Sequence, residues 1–148
     1  AGDHGLTATS IDGVTWTVYT PTASSPLFAG ISFAYGYFYA YTSATSGSNL
    51  YRSIDGVMWE IDPDIQDNVS AITFSNKTLI VTGSQSLHMT TDGTTWTESK
   101  TAISGQVYAL ADGYIRLAWQ TIGFSPDLTT WTNIGAQANM PSVVAPVE

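Results

Sequence analysis

The chain has 148 residues, 43% hydrophobic and 12% aromatic, enough for one domain that buries roughly two-thirds of its unfolded surface. Twelve acids against four bases give a net charge of −8, and Arg52, Lys77, Lys100 and Arg116 stand singly, which argues against nucleic acid and anionic lipid as partners. There is no cysteine for disulfides or thiolate metal sites, and no apolar run nears the ~18 residues that span a bilayer.

The first ten residues lack the basic and apolar regions of a signal peptide, so the expectation is a soluble chain without membrane insertion. Residues 5–19 then read as a hairpin around Ser10, Asp12, Gly13 and Trp16. Asp-Gly between β-formers signals a tight turn, because Gly takes a positive φ and Asp hydrogen-bonds nearby amides. Residues 27–62 begin with the aromatic run Phe33, Tyr35, Tyr37, Phe38, Tyr39 and Tyr41, two strands around a Gly turn. A second hairpin follows around Ser53, Asp55, Gly56 and Trp59. Residues 69–99 repeat the scheme with Thr90, Asp92, Gly93 and Trp96, and residues 106–134 with Ser125, Asp127 and Trp131. In this last copy Leu128 replaces the glycine, so its turn is expected to be of another type or strained.

The aspartates at 12, 55, 92 and 127 are spaced by 43, 37 and 35 residues, the length of a four-stranded propeller blade. No stretch has sustained helical periodicity. The expected fold is therefore all-β, a single β-propeller domain over residues 1–148 with about four four-stranded blades. Residues 140–147 read as a closing strand that pairs with the N-terminal hairpin; the alternative is completion by another copy of the chain. Each Trp is expected on the outgoing strand as a buried wedge between blades, since four exposed indoles would form an implausibly large apolar patch.

The recurring box resembles the Asp-box, or sialidase-type (BNR), repeat, Ser-x-Asp-x-Gly-x-Thr-Trp, shortened here by one residue between Asp and Trp. The run from Gly36 to Ala40, followed by Leu50 to Trp59, is similar to repeats of bacteriophage tail and virion structural proteins. That resemblance implies a propeller with its boxes at turns on the blade periphery. It also implies a virion-surface or extracellular place, with other virion proteins or a host-surface glycan or protein as partners and a homo-oligomer as an option.

The activity attached to the family implies an enzyme with a three-Arg clamp, a Tyr nucleophile helped by Glu, and an acid/base Asp. This chain has two arginines, so one copy cannot build the clamp, and the expectation is a non-catalytic module without cofactor. A glycosidase would need two carboxylates facing across a cleft, and sequence pairs none of the acids outside the boxes. Asp62, Asp64 and Asp67 share one connecting loop and form a weak Ca²⁺ candidate without EF-hand spacing; a polar linker is the plainer reading. His4 and His88 stand alone, without a second His at metal spacing. The most suggestive ligand contacts are Tyr35 and Tyr37, whose phenols could stack on a sugar ring or anchor a protein contact. The functional expectation is thus a structural or host-attachment module on a phage virion, with a free lectin-like glycan binder as the alternative and a sialidase-like enzyme third.

Overall fold

The computed structural model describes residues 6–19, 27–42, 47, 49–100, 105–118 and 121–135. The expected closing strand 140–147 lies outside the described residues. An antiparallel hairpin, β1 (Thr7–Thr9) and β2 (Thr17–Tyr19), comes first. Three four-stranded antiparallel meanders follow. Blade 1 is β3 (Phe28–Ala34), β4 (Tyr37–Thr42), β5 (Leu50–Ser53) and β6 (Glu60–Ile61). Blade 2 is β7 (Val69–Ser75), β8 (Thr78–Gly83), β9 (Leu87–Thr90) and β10 (Thr97–Ser99). Blade 3 is β11 (Gln106–Leu110), β12 (Gly113–Ala118), β13 (Thr121–Ser125) and β14 (Thr132–Gly135). No helix occurs among the described residues. The fold is all-β and blade-like, each four-stranded sheet being a meander in chain order.

Consecutive blades pack face to face. Inner strand β7 touches both β3 and β11, so the first strands of neighbouring blades lie closest together, as at a hub. Ala34, Tyr39 and Leu50 of blade 1 join Leu79 and Val81 of blade 2 in one cluster, with Ile65 and Val69 beneath them. Alternate residues of blade 2, Ile80 and Leu87, turn to the opposite side and meet Val107 and Leu128 of blade 3. Period-two alternation thus gives blade 2 two dry faces, and every residue of β8 is buried.

The turns inside the blades obey local chemistry. Tyr35 and Gly36 both have positive φ, as do Asn76 and Lys77, the backbone of two-residue turns whose twist matches the flanking strands. The Asp-bearing connections differ from the tight turn expected of Asp-Gly. Thr9 pairs with Thr17, Arg52 with Glu60, Met89 with Thr97 and Phe124 with Thr132, so seven residues intervene in each copy. The reason is visible at Asp12: its Oδ1 accepts the amides of Val14 and Thr15 at 2.8 Å each, while Ser10 Oγ accepts the Gly13 amide at 2.8 Å. These side chains satisfy the loop's own amides and hold open a wider loop than a two-residue turn.

Two further expectations are corrected. Trp16, Trp59, Trp96 and Trp131 each sit on the last loop residue, immediately before the outgoing strand. Nor are they uniformly buried: Trp59, Trp96 and Trp131 are half-buried, but Trp16 is 58% exposed. Trp96 meets Tyr39 of blade 1 edge-on at 6.4 Å, and Trp131 packs on the cluster shared by blades 2 and 3, so these two are inter-blade wedges. Trp59 instead packs on Phe28 of its own blade, 4.7 Å between rings. Trp16 projects from a hairpin that no described blade precedes.

Candidate functional site

The four Asp loops share one hydrogen-bond scheme. Asp55 Oδ1 accepts the amides of Val57 and Met58, Asp92 Oδ1 those of Thr94 and Thr95, and Asp127 Oδ1 those of Thr129 and Thr130, all between 2.7 and 2.9 Å. The hydroxyls of Ser10, Ser53, Thr90 and Ser125 donate to these carboxylates. Donation from Thr15 and Val14, then from Ser10, holds Asp12 at a pKa of about 2; the Thr130 and Thr129 amides hold Asp127 at about 2. Amides of the same loops keep Asp55 and Asp92 below the usual carboxylate range. A carboxylate locked this way stays ionised and serves the loop's geometry.

Of the two tyrosines, Tyr35 sits at the β3–β4 turn of blade 1 and reaches across to blade 2, its hydroxyl donating to the carbonyl of Lys77 and its ring meeting Phe74 edge-on at 5.5 Å. It is a bracket between blades and does not line the cleft that Tyr37 lines. Tyr37, at the start of β4, lines a cleft of about 330 Å³ with Arg52, Ser53, Met58, Trp59 and Glu60. Arg52 and Glu60 are register partners on β5 and β6, which puts their side chains on one face; Arg52 Nε donates to Glu60 Oε1 at 2.8 Å. The Glu60 hydrogen bond, opposed by burial, raises the Arg52 pKa. The guanidinium lies 5.7 Å from the Tyr37 ring centre, a cation–π contact that orients both groups. Trp59 is pinned by its indole N–H to Gly56 O at 3.2 Å. Met58 stays 76% exposed at the mouth. The cleft therefore offers aromatic faces, paired donors and acceptors, and a flexible apolar rim.

The Asp62, Asp64 and Asp67 loop joins blades 1 and 2, but no group of three or more such side chains able to hold a metal ion occurs among the described residues. Each of Asp62 and Asp67 is engaged by local partners. Asp62 is 1% exposed and turned inward, accepting the Asp64 amide at 3.0 Å with Arg52 Nη1 3.9 Å away. Asp67 turns toward blade 2, where it accepts the Ser84 hydroxyl and the amides of Gln85 and Ser86 as well as that of Asn68. Burial pushes Asp67 up, but those four donors outweigh it and hold its pKa down.

His88, which stands alone in the sequence, has a neighbour that the sequence does not show. It is 8% exposed, its Nε2 makes no hydrogen bond, and Asp67 Oδ2 lies 3.8 Å away. The two are far apart in the chain, so only the fold reveals their proximity. Arg52 and Arg116 occupy different blades; Arg116 stacks over Trp131 at 5.5 Å and donates to Asn133 Oδ1 at 3.3 Å. No protein family, curated protein or solved structure matches this chain.

Proposed function

We propose that this chain is a non-catalytic structural or host-attachment module of a bacteriophage virion, built on Asp-box blades and acting outside the cell. The observation that carries the non-catalytic reading is the fate of the repeated chemistry: all four box carboxylates are bound to amides of their own loops. Groups tied down in this way brace a rigid surface and are poorly placed to exchange protons with a substrate. The phage setting is supported by the repeat style of the sequence. Recognition then falls to the Tyr37, Arg52, Trp59 and Glu60 cleft, where aromatic and Arg side chains of the kind that dominate binding hot spots come together.

Co-sedimentation of the purified chain with virions or with host envelopes tests this reading. Tyr37→Ala with Met58→Ala should weaken binding by roughly ten-fold or more while the melting temperature stays within a few degrees. Unchanged binding retires the cleft, and absence of any association with either particle retires the virion role. The same cleft favours a second reading, a free lectin-like glycan binder, because a phenol and a charged pair suit a sugar ring. Glycan-array signal without virion association would select it.

A further inference from the structure

The blade-to-blade joint has two halves that recur along the chain. Counted from the turn between the first two strands, the pairs Ala34–Tyr37, Ser75–Thr78 and Leu110–Gly113 are equivalent. Tyr39, Ile80 and Ile115 therefore occupy one position, and Leu50, Leu87 and Ile122 another. In blades 1 and 2 these residues are 1% exposed or less, because the next blade covers them. This is the socket of the joint. The wedge is the indole that ends the next blade's Asp loop: Trp96 against Tyr39, and Trp131 on the cluster that holds Ile80 and Leu87.

Each end of the described chain has one half without the other. In blade 3 the socket residues Ile115 and Ile122 are only half-buried, and Tyr108 and Leu110 beside them on the inner strand are 39% and 44% exposed. Leu110 is the counterpart of Ala34, which is 2% exposed under blade 2. At the other end Trp16 repeats the geometry of Trp96, with the same loop hydrogen bonds and the same strand register, yet stands 58% exposed beside Val18 at 57%.

We propose that these open halves form one joint between two copies of this chain, head to tail, with Trp16 of one copy seated on the Ile115 and Ile122 face of the other. The occupant follows from the interface already used twice inside the chain: a socket of this shape takes an Asp-loop indole, and the exposed one belongs to the N-terminal hairpin. Such a joint pairs unlike surfaces, so repetition closes a ring or extends a filament.

Light scattering of the 148-residue chain should give a multiple of 15.8 kDa. Trp16→Asp and Ile122→Asp should each reduce it to the monomer, with association weakened at least about a hundred-fold, and circular dichroism should show that the sheets persist. An equimolar mixture of the two variants should associate again, because the intact socket of the first accepts the intact wedge of the second. A mixture that stays monomeric means that like faces meet, and overturns the proposal. So does a wild-type chain that remains monomeric up to about a hundred micromolar, the result expected if further blades of a longer chain cover both faces. As a check independent of those variants, the cysteine-free chain carrying Trp16→Cys and Ile115→Cys can be treated with a short bismaleimide. Covalent dimers support the joint, whereas an intrachain link, showing closure within one copy, or no link at all overturns it.

Discussion

Leu128 shows how a single residue trades strain against burial. Its φ is +66°, in the range of Gly13, Gly56 and Gly93 at the same loop position, so the fourth loop keeps the common conformation and bears the strain of a side chain there. A left-handed Leu costs roughly 1–2 kcal/mol. The side chain is 2% exposed among Ile80, Leu87 and Val107, and burying it returns about 2–3 kcal/mol, so burial wins. Leu128→Ala loses the burial and keeps the strain, whereas Leu128→Gly loses the burial and relieves the strain. Denaturant midpoints should therefore rank the glycine variant above the alanine variant by about 1 kcal/mol, the reverse of the order seen in most elements.

At the scale of elements, the Asp loop is both a local device and a joint part. Gly13 and Gly93 have nearly the same positive φ, but a Cβ on Gly13 would meet nothing within 4 Å, while one on Gly93 would lie 2.8 Å from Tyr35 Cβ across the joint. Gly13→Ala should cost about 1 kcal/mol, the backbone term alone. Gly93→Ala adds overpacking against the β3–β4 turn and should cost about 2–4 kcal/mol by chemical denaturation. Equal costs would mean that the blades part freely at this turn.

For the whole molecule, acid should act through the loops. Carboxylates whose folded pKa is depressed contribute stability that is complete above the unfolded value of about 4 and is lost as pH falls through the folded value. Asp12 and Asp127, both at about 2, place that loss between about pH 4 and 2, and Asp55 and Asp92 shift in the same direction. Burial raises the Asp62 pKa, so its contribution has the opposite sign: it is present in acid and lost as pH rises. With four loop carboxylates against it, the melting temperature should fall on acidification from pH 4 to 2. Asp12→Asn with Asp127→Asn should flatten that fall; an unchanged slope would assign the acid sensitivity elsewhere.

The blades were legible because their signals are local. Period-two alternation, the recurring Asp with its preceding hydroxyl, and a spacing near forty residues all report on contacts within a few positions, and these determined the all-β fold and its strand order. The loop scheme was legible in part: Asp55 and Ser53 announce a turn, but only the strand register reveals that seven residues lie between its ends. Tertiary packing alone decided the rest. The same box motif leaves Trp96 half-covered and Trp16 in the open, because cover comes from a neighbouring blade and not from the motif. Likewise Tyr35 and Tyr37, two positions apart, went to a joint and a cleft, and Asp67 approached His88, since successive residues leave a turn in different directions and distant ones meet only when sheets stack.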